Sequence, residues 1–205
     1  MNTFYWENRY KRQGKRTVGC CSFSQGEFEK KTRKAEATLL KCLVRNKIAA
    51  ERWLDVGCGW GRLANIYLSF CKEISGIDII PWAIEEAKKQ FPFGKFSVYD
   101  GKKIPFSDKH FDAILTWTVL QHVSTEDISD FCKEIVRVMA SGAYLIVYEN
   151  VSTWRTDKSH IWFRGAGTYK LLFEALKMID EELVPDADGN DEHHVLIVFK
   201  KEVII

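Results

Sequence analysis

The stretch WLDVGCGWGRLA, Trp53 to Ala64, constrains the fold more than any other part of the chain. A short apolar run of strand length leads into it, glycines alternate at Gly57, Gly59 and Gly61, and helix-forming residues follow. Glycine in such a turn means that the backbone takes positive φ, or that something approaches it more closely than a Cβ permits. Leu63, Ile66, Tyr67 and Phe70 then fall at i, i+3, i+4 and i+7, one face of a helix. The glycines therefore join a strand to a helix N-terminus, where backbone N–H groups and the positive dipole end are presented to a ligand's polar groups.

The same strand-then-helix pattern repeats. EISGIDI predicts a second strand, Pro81 suits a first helical turn, and Ile84, Ala87 and Phe91 mark the inner face of a helix that stops before Pro92. KFSVYD and HFDAILTWTV predict two more strands, separated by the turn-rich GKKIPFSDK. From Thr125 to Met139, a stripe of Ile128, Phe131, Cys132, Ile135, Val138 and Met139 predicts an amphipathic helix, with Ser124 and Asp127 placed to cap it. The strand AYLIVYEN follows, then a helix around Thr168 to Leu176. Strands alternating with helices imply right-handed crossovers and a parallel sheet covered on both faces, so the fold class is α/β. LKMIDEELV and HHVLIVFKK are joined by PDADGNDE, too short for a crossover helix, and the resulting hairpin makes the last strand antiparallel. Residues 1–50 read as an N-terminal helical cap, with a polar GKRTVGCCSFSQG linker and an amphipathic helix from about Glu27 to Asn46; residues 51–205 read as the core.

Thirty basic against twenty-eight acidic residues give a net charge of +2, too balanced to indicate a polyanion-binding protein. The local run RYKRQGKR (Arg9, Lys11, Arg12, Lys15, Arg16) either steers an anionic substrate or is a solvated helix end. The six cysteines form no C-x-x-C pair and no Cys/His ligand spacing, so neither a zinc site nor a disulfide framework is indicated, and a reducing compartment is expected. The N-terminus has no apolar signal region and the longest apolar runs are of strand length, so a cytoplasmic protein without a membrane span is expected.

LDVGCGWG closely resembles the first motif of the class I S-adenosylmethionine-dependent methyltransferases, and the resemblance extends from about Arg52 to Lys201. The G-x-G-x-x-G of nicotinamide-binding proteins is not met, because Arg62 stands at the sixth position. The resemblance implies a Rossmann-like seven-stranded mixed sheet and S-adenosylmethionine as cofactor, with no metal. It implies that the glycine loop, with Asp55, Gly57, Cys58, Gly59 and Gly61, passes under the methionine part of the cofactor. It likewise implies that Asp78 of GIDI binds the ribose hydroxyls, with Ile79 against the adenine, and that Asp100 and Gly101 of VYDG meet the adenine's polar edge. It places Thr116, Trp117 and His122 of TWTVLQHV among the cofactor-binding residues, His122 also where the family lines the active site. VMASGAY departs from the family's more usual Pro-Gly-Gly turn before the fifth strand.

TWTV is not the Asn/Asp-Pro-Pro-aromatic motif of enzymes that methylate exocyclic base amines, and no Pro-Cys stands there as a pyrimidine nucleophile. A small-molecule acceptor is therefore favoured over nucleic acid, with O- and N-methylation both open. His122 either takes a proton from the acceptor or packs beside the cofactor; His160, on the loop after the fifth strand, faces the acceptor side, with Arg164 near enough to bind an acidic group. Tyr5, Trp6 and Tyr10, with Phe4, and Trp162 with Trp154 and Phe163, form aromatic clusters that close over the site or merely anchor the cap. The adjacent His193 and His194 point to opposite faces of a strand and take no role. Two rival readings are a nicotinamide-dependent oxidoreductase and a non-catalytic module that binds S-adenosylmethionine.

Overall fold

The structure, a computed structural model, describes residues 3–18, 24–151, 160–185 and 193–203. Its strands are β1 (Ala50–Val56), β2 (Cys71–Asp78), β3 (Lys95–Val98), β4 (Phe111–Trp117), β5 (Met139–Asn150), β6 (Lys177–Pro185) and β7 (His193–Lys200). They form one seven-stranded sheet in the order β3-β2-β1-β4-β5-β7-β6. β1 to β5 run parallel, and β7 pairs antiparallel with both β5 and β6. Strands buried on both faces require near-continuous apolar sequence, and β1, β4 and β7 supply it.

The helices are α1 (Thr3–Gln13), α2 (Gln25–Arg45), α3 (Ala64–Tyr67), α4 (Pro81–Gln90), α5 (Ile128–Val138) and α6 (Ala166–Leu172). α2 starts at a capping box: the Glu27 N–H donates to Ser24 Oγ, and the Ser24 N–H donates to the Glu27 carboxylate (2.7 Å). Its buried residues Ala35, Leu39, Cys42 and Leu43 share a core with Trp53, Ile84, Leu115 and Val198, so this helix covers one face of the sheet. α5 and α6 cover the other face, joined there by Tyr10 of α1. Lys41 and Arg45 of α2 reach across to Glu182 of β6, and Arg45 also pairs with Asp180 (2.6 Å), tying the far edge of the sheet to this helix.

Two elements differ from the sequence pattern. The helix expected after the glycines is a single α-turn, Ala64–Tyr67, followed by a 3-10 turn, Leu68–Phe70, that passes directly into β2. The apolar spacing there is satisfied by a local contact: the Tyr67 ring stacks on Trp53 (4.9 Å) and its hydroxyl donates to Asp55 (3.0 Å), closing the chain after one turn. At the other departure, α5 gives way at Val138 and β5 begins at Met139, with no intervening loop. Met139 already pairs with Phe111, and the ladder then slips before Ala113 pairs with Tyr144. Gly142, at φ 79°, supplies the bend that a Pro-Gly-Gly turn supplies elsewhere.

No helix among the described residues is long and apolar enough to cross a membrane. Leu39 is fully buried between α2 and the sheet. Leu39→Ala should therefore destabilise the whole domain by about 2–5 kcal/mol, read as a lowered denaturation midpoint in a single transition. An unchanged midpoint would mean that α2 is not part of the cooperative core.

Candidate functional site

The carboxyl ends of β1, β2 and β4 meet at one edge of the sheet, where the glycine loop leaves β1. Gly57, Gly59 and Gly61 take φ of 75°, 54° and 83°, a conformation that other L-residues adopt only with strain. The Gly57 and Cys58 N–H groups both donate to the Ile77 carbonyl (2.7 and 3.0 Å), lashing the loop to β2. A Cβ on Gly57 would come within 2.4 Å of the Val119 side chain, so the loop and the segment after β4 close on each other only through glycine. The next N–H, that of Gly59, donates to the Asp78 carboxylate (2.9 Å), whose other oxygen accepts from Ile80 N–H (3.0 Å). Burial pushes the Asp78 carboxyl up to about 6 against the pull of these donors.

Three residues expected at the cofactor turn elsewhere. Asp55 lies beneath the loop and accepts from the Tyr67 hydroxyl, and burial pushes its carboxyl up to about 7. The Cys58 side chain is buried, its sulfur beside Gly76 of β2. Trp117 lies flat on Tyr148 (3.8 Å, 9°) in the core shared with α2. Thr116 is fully buried, and its hydroxyl has no hydrogen-bond partner among the described residues. Asp100 is exposed, with Oδ1 accepting from the N–H groups of Lys102 and Lys103 (2.8 and 2.9 Å), which lower its pKa; it shapes the turn that Gly101 enters at φ 78°.

Around Asp78 the wall is aromatic. Ile79, Tyr99 and Tyr10 of α1 share one core, and the Tyr10 ring tilts against Trp82 of α4 (5.1 Å). The Tyr10 and Tyr99 hydroxyls are buried without hydrogen-bond partners among the described residues, and both lie in the field of Asp78 and Cys58. Burial without a partner is costly for a hydroxyl, and two such groups near one carboxylate have the chemistry to be satisfied by a polar ligand. The segment after α1 is moored to the loop and to α4: the Trp60 indole N–H donates to the Lys15 carbonyl (3.0 Å), and the Lys15 ammonium lies 3.7 Å from Glu86.

The adjoining side is set by a carboxylate that the sequence pattern did not single out. Glu149, at the end of β5, is fully buried and accepts from three successive N–H groups, those of Val119, Leu120 and Gln121 (2.9, 2.8 and 3.2 Å). Burial pushes its carboxyl up to about 8. Thr118, at φ 55°, turns the chain out of β4 into this segment, a conformation uncommon for a β-branched residue. Arg164, expected to bind an acidic substrate group, instead donates to the backbone carbonyls of Leu120 (2.9 Å), Val123 (2.8 Å) and Trp162 (3.3 Å). Its planar fork closes the carbonyl end of the turn that Glu149 closes at the N–H end. Trp162 enters through its backbone, donating its N–H to the Gln121 carbonyl (2.8 Å).

That turn presents His122. Its Nδ1 faces the His160 carbonyl (2.8 Å), which can only accept, so Nδ1 carries the hydrogen and Nε2 holds a lone pair toward the Gln121 amide (3.2 Å). Burial lowers the His122 pKa to about 4, keeping the ring neutral. α1 roofs the pair: Tyr5 stacks on His160 (3.8 Å), and Trp6 meets His122 edge-on (4.7 Å). Of the basic run, Arg9 is held at 2.8 Å from the Tyr5 hydroxyl and lies over the Trp6 ring. His194 packs on Tyr148 at 5.0 Å, away from this site. Trp154, Cys20 and Cys21 lie outside the described residues.

Residues Tyr10, Ile79 and Asp78 thus gather with the glycine loop, and Tyr5, Trp6, His122 and His160 gather beside them. Glu149, Gln121, Tyr99 and Trp82 are additions that periodicity did not reveal; the one signal was an acid interrupting the apolar run of β5. Removing a carboxylate that satisfies three buried donors costs several kcal/mol, so Glu149→Ala should lower stability by about 3 kcal/mol or more. The raised carboxyls of Asp55 and Glu149 bind protons more tightly folded than unfolded. Their contribution to stability is therefore present at low pH and lost as pH rises through about 7 and about 8. Thermal melts of wild type and Glu149→Gln across that window should show a shallower decline in the variant; identical slopes would contradict the assignment.

The family model for a methyltransferase domain matches residues 54–147, the span from the glycine loop through β5. Demethylmenaquinone methyltransferase of Tropheryma whipplei is 34% identical over 111 residues, 53% of this chain and 45% of that protein. 2-Methyl-6-phytyl-1,4-hydroquinone methyltransferase of Synechocystis is 34% identical over 98 residues, 46% of this chain and 30% of that protein. The chain thus spans less than half the length of these curated relatives. Among solved structures, the N-methyltransferase NodS of Bradyrhizobium japonicum, in complex with S-adenosylhomocysteine, superposes with a TM-score of 0.69 at 21% identity, over 82% of this chain and 86% of that one. Residues 54–147 thus match the methyltransferase domain family, and the sheet order, with its glycine loop and an acid at the tip of β2, is that of the Rossmann-like class I methyltransferase fold.

Proposed function

We propose that the chain transfers a methyl group from S-adenosylmethionine to a small-molecule acceptor. The observation that carries the reading is the Asp78 carboxylate, fixed at the tip of β2 beside a positive-φ glycine loop and near two buried tyrosine hydroxyls that have no hydrogen-bond partner among the described residues. Such a place suits a polar ligand, and the ribose hydroxyls of the cofactor supply donors for the carboxylate. Asp78 accepts backbone N–H groups of Gly59, Ile80 and Ile79 and, with about four acceptor sites on its two oxygens, keeps capacity for a ribose hydroxyl without releasing the loop.

In this reading Ile79 lies against the adenine, Gly101 and Asp100 form the turn at its polar edge, and Tyr10 and Tyr99 donate their hydroxyls to the cofactor. The cofactor supplies a methyl group already activated on a positively charged sulfur, so the protein's part is chiefly alignment and exclusion of water. α1 excludes the water. His122 keeps a neutral ring whose Nε2 lone pair accepts from the Gln121 amide, so it takes a proton from the acceptor only by exchanging that contact for the acceptor's hydroxyl or amine. The enclosed aromatic surroundings of His122 favour a small molecule over a nucleic acid, whose backbone calls for an open basic groove. The quinol-type relatives support the same class of acceptor.

Titration calorimetry with S-adenosylhomocysteine tests this directly. Wild type should bind it and give no heat with NAD. Asp78→Asn should bind at least about tenfold more weakly, since a hydrogen bond to a charged acceptor contributes roughly 1.5–3 kcal/mol. Because donors prefer the ionised carboxylate, affinity should also fall as pH drops through about 6, where Asp78 takes up its proton. Affinity for NAD, or an Asp78→Asn variant that binds within twofold of wild type, would refute the cofactor site.

A further inference from the structure

We infer that the acceptor is a planar aromatic compound bearing a hydroxyl group, and that the Tyr5 ring of α1 stands where the acceptor's ring stacks. The inference rests on the methyltransferase reading and names the substrate class of the same site.

Three rings lie nearly parallel. Tyr5 stacks on His160 at 3.8 Å and 23°, and the His122 ring lies within 13° of His160 at 5.8 Å. Trp6 stands across them, at 82° to Tyr5 and 84° to each histidine. Tyr5 thus covers one face of His160, and Trp6 stands across the edge of the stack. Faces and edges paired in this way favour a flat π-system over a saturated one of equal area. The polar atom that faces no partner agrees: Gln121 Nε2 donates to His122, leaving Gln121 Oε1 shielded from solvent and without a hydrogen bond among the described residues. Oε1 can only accept, so the ligand that completes the site brings a donor, as a phenolic hydroxyl does. The neutral His122 ring adds no positive charge beside that donor. Tyr5 is itself a phenol, and its hydroxyl is held by Arg9 on the same helix (2.8 Å).

The test is calorimetric titration of the full chain, saturated with S-adenosylhomocysteine, using β-naphthol and its saturated counterpart decahydro-β-naphthol as probes. Removing the internal ring should uncover that face of His160, so Tyr5→Ala should bind β-naphthol at least about tenfold more tightly than wild type. His160→Ala should lose that binding, and the saturated alcohol should bind none of the three. Retained affinity for S-adenosylhomocysteine shows that each variant is folded. Equal naphthol affinity in wild type and Tyr5→Ala, naphthol binding that survives His160→Ala, or comparable binding of the saturated alcohol would each overturn the inference. If no protein binds the naphthol while S-adenosylhomocysteine binds normally, the inference falls and the methyltransferase reading stands. If S-adenosylhomocysteine itself fails to bind, both fall.

Discussion

The hydrogen bond from the Gly59 N–H to the Asp78 carboxylate is the contact on which the rest of the site depends. It joins the turn after β1 to the tip of β2, and with the two bonds to the Ile77 carbonyl it fixes a loop that has left regular structure. A loop with three positive-φ residues would otherwise sample many conformations; pinned by a buried carboxylate it samples one. The same carboxylate sits beneath the Tyr10 and Tyr99 hydroxyls, so the group that shapes the loop also gives the place its polarity.

The adjoining turn obeys the same logic with different groups. Glu149 gathers three N–H groups and Arg164 gathers two carbonyls of one short segment, so a stretch without a full helical ladder is still satisfied at both ends. A buried acid and a buried guanidinium are expensive to desolvate, and they are tolerated because each meets backbone groups that would otherwise be orphaned. The result is a fixed His122 ring. α1 then lies across both halves: Tyr10 reaches toward Asp78, and Tyr5, roughly one and a half turns earlier, lies on His160.

The sheet was legible in the sequence because burial on two faces leaves a plain signature. Runs such as DAILTW and HVLIVF have few alternatives to a central strand, and PDADGNDE leaves no room for a crossover. The aromatic cluster of α1 was legible as a cluster, though its partners were not, since contacts between residues 5 and 160 leave no local pattern. Periodicity misled at Leu63 to Phe70, where the spacing of a long helix is satisfied by Tyr67 folding onto Trp53 and Asp55. Arg164 was read as a substrate contact because an arginine near an active-site loop has the reach for one. The same reach lets it bind carbonyls underneath, and residue type does not distinguish the two. Glu149 was passed over because one acid in an apolar strand forms no motif.

The central claim is that the glycine loop, Asp78 and the inner face of α1 form one binding place for an adenosyl cofactor. Amide hydrogen exchange with and without S-adenosylhomocysteine addresses all three parts in one measurement. The account predicts slowed exchange on binding at Gly59, at Ile80, whose N–H is held by Asp78, and through α1 from about Tyr5 to Gln13. Protection confined to other regions, or binding that leaves both the loop and α1 unchanged, would contradict it.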